Sequence, residues 1–228
     1  METMADHYGF EYEEDFASLD QWLNRPPDRA EWRAEGGAFH GIWLAFHNAL
    51  IFKRPLRGDA ELLVDFRFLP MDWDRIPDFE ATPGESPTTV AKYRKNLPPE
   101  GAMNFNILFK GSGPEGEDFL EAYDDWVGKG KMGLEHFRTY FFTLTYLWAR
   151  MRRCPGYQLL NDRQDVRSQL DHTFSARILQ EGERFRYWLD GELIHDIADP
   201  DPHRNGYVGF VLSASQVEVT RFRARSME

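Results

Sequence analysis

The sequence predicts an all-β sandwich, and three observations carry that prediction. The stretch from Asp171 to Arg225 breaks into five short alternating segments separated by turn chemistry, leaving no room for a long helix. Within it, Asp190-Gly191 separates the apolar-periodic runs FRYWL and ELIHDI. That is a strong hairpin signal, because a type I′ turn needs positive φ at both central residues. Seven Trp, nine Tyr and eighteen Phe in a chain that is polar on average suit two layers packed face to face, with rings left over for a binding surface. At 228 residues the chain fits one large all-β domain spanning 1–228.

Read in order, residues 10–16 and 30–56 are predicted strands, with Gly36-Gly37 as a turn and His47-Asn48 as a second one. Gly58-Asp59 then precedes ELLVDFRFLP, a half-buried strand. Leu62, Val64, Phe66 and Phe68 share one face of it, and Leu63, Asp65 and Arg67 the other. From Met71 to Glu100 prolines and charges mark a long excursion, with a short helix expected in TTVAKYRKN. NFNILFKG follows as a strand with Phe105, Ile107 and Phe109 on one side and Asn104, Asn106 and Lys110 on the other. A second excursion covers 111–133, where Phe119, Tyr123 and Trp126 recur at helical spacing as a stripe docking on the sandwich. Two insertions of this length are candidate rims of a cleft. In HFRTYFFTLTYLWARMRR, β-branched and aromatic density favours strand while length favours helix; two strands bent or joined near Thr143 satisfy both. CPGYQLLNDRQDVRSQLD reads as an exposed connection into a terminal meander.

Composition excludes several classes of function. A net charge of −11 argues against nucleic-acid and anionic-membrane partners, which need a basic face. Cys154 is the lone cysteine, so neither an intramolecular disulfide nor a thiolate metal cluster is expected. The start METMADHYGFEYEED has no basic and no apolar leader region, and no apolar run is long enough to span a bilayer, so a cytoplasmic location is expected. The seven histidines show no HExxH and no i, i+4 pair, so no metal and no cofactor is expected. Asp199-Pro-Asp-Pro-His203 offers oxygens to calcium but reads first as a stiff loop. GSGPEG lacks the context of a nucleotide loop, and no GxSxG elbow is present.

The candidate site comes from alternation. If 143–152 is a strand, Tyr146, Trp148, Arg150 and Arg152 share one face, with Thr145, Leu147, Ala149 and Met151 toward the core. Tyr and Trp beside two guanidinium groups make an adhesive face: sugar rings stack on aromatic faces, and Arg grips carboxylates through its planar fork. Asn104, Asn106, Asp65 and Arg67 from the polar sides of other strands would complete a hydrogen-bonding surface for a polyhydroxylated ligand. The competing reading is plain packing, with arginine only stacked on buried rings.

The pattern FSARILQEGERFRYWLDGELIHDIADPDPHRNGYVGFVLSASQVEVTRFRAR resembles the closing strands of the concanavalin A-like lectin/glucanase fold, a jelly-roll-like sandwich of two curved antiparallel sheets with short helices in its loops. More narrowly, the chain resembles the YesU-like family of uncharacterised bacterial proteins. Phe-x-x-Leu-x-x-Trp at 16–22, GDAELLVDFRF and TYLWARMRRCPGYQLLN carry that likeness with it. The resemblance implies binding or processing of oligosaccharides, including acidic ones, in bacterial polysaccharide degradation. It implies fold more strongly than activity. The Glu-x-Asp-x-(x)-Glu strand of retaining glucanases, which sets two carboxylates about 5–5.5 Å apart, has no counterpart here, so a two-carboxylate glycosidase is not expected.

Three readings follow. In the first, the protein processes glycans, and as a polysaccharide lyase it would use Arg150, Arg152 and Arg67 to neutralise a uronate carboxylate. Tyr146, His172 or His40 would then move the proton. Catalytic roles thus fall to Tyr146, His172 and Arg150, and substrate-binding roles to Trp148, Arg152, Asn104, Asn106, Asp65 and Arg67. In the second, a lectin-like module binds an oligosaccharide without cleaving it. In the third, the aromatics are structural and the excursions build a homodimer interface.

Overall fold

A computed structural model describes residues 8–45, 48–76, 94–126 and 133–227. Fifteen strands follow one another: β1 Tyr8–Glu13, β2 Trp22–Arg25, β3 Ala30–Glu35, β4 Ala38–Trp43, β5 Ala49–Phe52, β6 Asp59–Leu69, β7 Asn104–Ser112, β8 Arg138–Leu144, β9 Ala149–Cys154, β10 Gln158–Arg163, β11 Thr173–Glu181, β12 Arg184–Leu189, β13 Glu192–Ala198, β14 Tyr207–Ser213 and β15 Gln216–Met227. A short α-helix, α1, covers Phe119–Trp126. An eight-stranded sheet runs β13-β12-β11-β6-β15-β4-β3, with β1 also on β15; a seven-stranded sheet runs β10-β9-β8-β7-β14-β5-β2. Each pairing between these strands is antiparallel, the all-β sandwich that the alternation predicts.

Alternation explains how the two sheets face each other. Leu62, Val64, Phe66 and Phe68 of β6 and Phe105, Ile107 and Phe109 of β7 all enter one core between the sheets. β15 adds Val217 and Val219, then Phe222 and Ala224, a change of parity that an extended strand cannot deliver without an extra residue. A register shift between Val219 and Arg221 supplies it. Rings fill the centre: Trp22 stacks on Phe210 at 5.3 Å and meets Phe222 edge-on at 4.7 Å. Buried Glu14 fastens the opening segment, accepting from Trp22 Nε1 at 2.6 Å, the Tyr12 hydroxyl at 2.8 Å and Phe16 N at 3.0 Å. Asp190 and Gly191 turn the β12–β13 hairpin at φ 51° and 82°, as the type I′ signal requires.

Four expectations change. The terminal run is a meander only through β13: β14 crosses to the seven-stranded sheet and β15 returns to the other. The segment 155–170 is not simply a connection, because Gln158–Arg163 pairs with β9 as an edge strand. β8 ends at Leu144, and a turn over 145–148 leads into β9, so Tyr146 and Leu147 are not strand residues. Leu147 is 47% exposed rather than in the core, while Ala149 and Met151 do point inward. The helix expected in TTVAKYRKN and the turn at His47 fall largely outside the described residues.

A second, smaller apolar cluster lies on the outer face of the seven-stranded sheet. Phe119 and Tyr123 of α1 pack there with Leu134 and Phe137 over Ala49, Ile51, Leu108 and Phe141. Of the stripe predicted for Phe119, Tyr123 and Trp126, the first two dock as expected and the Trp126 side chain lies outside what is described; the rest of that face is left uncovered by the described residues.

Candidate functional site

The uncovered part of that face is a cleft of ≈ 380 Å³. Its floor is built from outward positions of three adjacent strands: Asn104 and Asn106 of β7, Phe141 and Thr143 of β8, and Val211 and Ser213 of β14. Leu134 and Glu135 wall it on the side of the helical excursion, and Trp148 and Tyr157 on the side of β9 and β10. Gly156 N donates to Glu135 O at 3.0 Å, tying the β9–β10 turn to the wall formed by Leu134 and Glu135.

The floor is held by internal hydrogen bonds. The Thr143 hydroxyl donates to Asn106 Oδ1 at 2.6 Å, and Asn106 Nδ2 donates to Asn104 Oδ1 at 3.0 Å and Val211 O at 3.2 Å. Asn106, 6% exposed, is thus committed to the scaffold and orients its neighbour. Asn104 Nδ2 has no acceptor among the described residues, and neither do Trp148 Nε1 and the Tyr157 hydroxyl. Three donors therefore remain around one cleft.

The β8–β9 turn sets the indole. Thr145 Oγ1 accepts from both Leu147 N and Trp148 N at 3.1 Å, and Thr145 N bonds Trp148 O at 2.9 Å. Behind the rings stand the two arginines. The Arg150 guanidinium lies 4.0 Å from the Trp148 ring centre, and that of Arg152 lies 5.3 Å from Trp148 and 4.8 Å from Tyr157. Arg150 is occupied by a fork onto Asp162, at 3.0 and 3.2 Å, which holds that carboxyl below its usual range. Arg152 has no carboxylate partner among the described residues; desolvation lowers its pKa, and Arg150 adds to the effect. Neither arginine lines the cleft; they brace its aromatic wall. Desolvation raises the Tyr157 pKa although its ring is 45% exposed, so the phenol stays protonated near neutrality.

The sequence-predicted residues divide into three places. Asn104, Asn106 and Trp148 meet in the cleft, with Arg150 and Arg152 behind it. Tyr146 is partly buried against the main core and does not line the cleft. Asp65 and Arg67 lie on β6, in the other sheet, where Arg67 pairs with Glu218 at 2.8 Å and Asp65 with Arg221 at 4.0 Å. His40 shares that Glu218 at 3.6 Å. His172 precedes β11 of the same sheet and bonds Asp190 at 2.7 Å. The surface expected to join Asp65, Arg67 and His172 to Trp148 is therefore two surfaces, because outward alternation says nothing about which sheet a strand joins. Thr143, Tyr157, Glu135, Val211 and Ser213 were not among the predicted residues. Pro155-Gly156, a turn signal beside Tyr157, was the clue to that wall.

A family described as a domain of unknown function (DUF6250) matches residues 142–222. No curated protein matches the chain. Among solved structures it is similar to a protein of unknown function with a galectin-like fold from Bacillus subtilis, at 12% identity and TM-score 0.66, covering 96% of this chain and 97% of that one. The chain has the concanavalin A-like lectin/glucanase fold. The Bacillus subtilis protein is YesU, so the likeness read from the sequence is borne out in the fold. The carbohydrate-binding module CBM66 from Bacillus subtilis matches at 10% identity and TM-score 0.58, covering 90% and 96% of the two chains. A Bacillus licheniformis β-glucanase matches at 7% identity and TM-score 0.57, covering 96% and 99%. This fold is therefore shared with carbohydrate-binding modules and glycoside hydrolases. The cleft here differs from a two-carboxylate arrangement: Glu135 is the sole carboxylate among its described lining residues.

Proposed function

We propose that this protein binds an oligosaccharide in the cleft between Trp148, Tyr157 and the Asn104–Asn106–Thr143 floor, without cleaving it. One observation carries the reading: two rings and three unpaired donors surround a cavity whose size falls in the range of small-molecule clefts, about 300–1,000 Å³. Sugars present alternating C–H faces and hydroxyls, which such a wall and floor match. The likeness to a carbohydrate-binding module supports the same ligand class.

The lyase reading has less behind it. Its proposed neutralising arginine, Arg150, already holds Asp162, and its proposed base, His172, sits in the other sheet. Tyr157 has its pKa raised, the direction that suits a donor and disfavours a base. A glycan array followed by calorimetry tests the proposal. Wild-type protein should bind at least one oligosaccharide class, and incubation should leave the ligand uncleaved, with no unsaturated product in ultraviolet absorbance. Cleavage of pectic, alginate or glucuronan chains would replace this reading with the lyase.

A further inference from the structure

A second cleft lies at the far end of β7 and β8 from the first. It measures ≈ 740 Å³ and is lined by Arg57, Arg138, Arg204, Ser112, Asn205 and Tyr207, among others. Among the described residues, the guanidinium groups of Arg57 and Arg138 have no hydrogen bond, ion pair or ring contact, although this chain carries eleven more acidic than basic side chains. Most other described arginines hold a carboxylate or lie against a ring, as do Arg67, Arg150, Arg163, Arg177, Arg184 and Arg223. Two guanidinium groups without a partner among the described residues thus line one cleft of an acidic protein, and each is a rigid fork of donors that fits an oxygen pair.

The surroundings are built and rigid. Leu56 N donates to Gly206 O at 2.8 Å and Gly206 N to Leu56 O at 3.0 Å, locking the loop of Arg57 to the loop of Arg204. Buried Lys110 reinforces that lock, donating to Gly58 O and Arg204 O at 2.8 Å each, and Gly58 N donates to Asn205 Oδ1 at 3.2 Å. At Gly206 an added Cβ would lie 2.4 Å from the Lys110 carbonyl carbon, so only glycine permits this approach. Arg204 is shared with Asp59 at 3.1 Å, and the Ser112 hydroxyl has no partner among the described residues.

Two carboxylates, Glu117 and Asp118, also line the cleft but are engaged locally. Glu117 Oε2 accepts from Glu115 N at 2.8 Å. Asp118 accepts from Leu120 N at 2.9 Å and from the Tyr207 hydroxyl at 2.7 Å.

We propose that the Arg57–Arg138–Arg204 cleft is a second ligand site, independent of the aromatic cleft, which takes an oxyanion group: a carboxylate, sulfate or phosphate. The source is either a free anion or an acidic group on a sugar chain. Calorimetric titration at low ionic strength with inorganic sulfate, inorganic phosphate, trigalacturonate and a neutral trisaccharide distinguishes them. At least one oxyanion should saturate. Arg57→Gln and Arg138→Gln should each weaken it about tenfold. Saturation by trigalacturonate that the arginine variants weaken, with no response to the inorganic ions, assigns a sugar-borne group; saturation by an inorganic ion alone assigns a free anion. Arg57 is exposed, so Arg57→Gln serves should Arg138→Gln not fold. No saturable binding of any oxyanion, or equal affinity in wild type and a folded arginine variant, overturns the proposal. Loss of neutral-sugar binding in Trp148→Ala bears on the aromatic cleft alone.

Discussion

At the scale of single residues, Trp148 is the side chain on which the proposed recognition turns. Its ring faces the cleft on one side and is backed by Arg150 and Arg152, and its N–H is unpaired among the described residues. Trp148→Ala should weaken oligosaccharide binding by about 1–3 kcal/mol if ring stacking transfers from nucleobases to sugars. Calorimetry on the wild type and the variant checks this. Tyr157→Phe removes only a hydroxyl donor and should cost about 0.5–1.5 kcal/mol of binding, seen as a smaller loss in the same titration. Asn106 plays a different part. With its amide groups committed to Thr143, Asn104 and Val211, Asn106→Leu leaves the buried Thr143 hydroxyl unpaired. It should lower folding stability by about 1–3 kcal/mol in urea denaturation as well as disturbing the floor.

At the scale of elements, β8, the turn after it and β9 show how far sequence reasoning reaches. Alternation places Ala149 and Met151 inward and Trp148, Arg150 and Arg152 outward, and the structure agrees. It fails at Tyr146 and Leu147, because Thr145 folds the chain into a turn that resets the period. Met151→Ala should therefore cost about 2–5 kcal/mol of stability as a core cavity. Leu147→Ala, at an exposed turn, should stay within about 0.5 kcal/mol, and thermal melts of the two variants give the comparison. The cleft floor was half legible: Asn104 and Asn106 follow from the polar side of NFNILFKG, but Thr143 was hidden in a run of aromatics. Asp65 and Arg67 follow the alternation equally well and still belong to another sheet, since strand order depends on tertiary pairing that periodicity does not encode. β10 was missed for a related reason. As an edge strand it is exposed at its first two residues and half-buried along the rest, and it lacks the fully buried apolar face that marks an inner strand.

At the scale of the whole molecule, the sandwich tolerates buried ionisable groups that tie its loops, and these make its stability depend on pH. Desolvation lowers Lys110 to about 7 from 10.5, against the opposing pull of Asp59 and with Arg204 adding repulsion. Between those values the unfolded chain holds a proton that the folded one has released. Unfolding free energy should therefore rise with pH over that window. His195, lowered to about 4 from 6.5 by desolvation, acts with the same sign on the acid side. Above about pH 10 buried tyrosines with raised pKa, such as Tyr187, oppose the trend, so urea midpoints are best compared from about pH 7 to about pH 9.5. The midpoint should climb in the wild type and flatten in Lys110→Met. The account as a whole rests on one face of one sheet being the sugar-binding face. Nitrogen-edited spectra of the protein titrated with a bound oligosaccharide test that directly. The Trp148 indole N–H and the side-chain amides of Asn104 and Asn106 should shift and saturate together. Saturating shifts confined to the neighbourhood of Asp65, Arg67 and His172, in the opposite sheet, would contradict it.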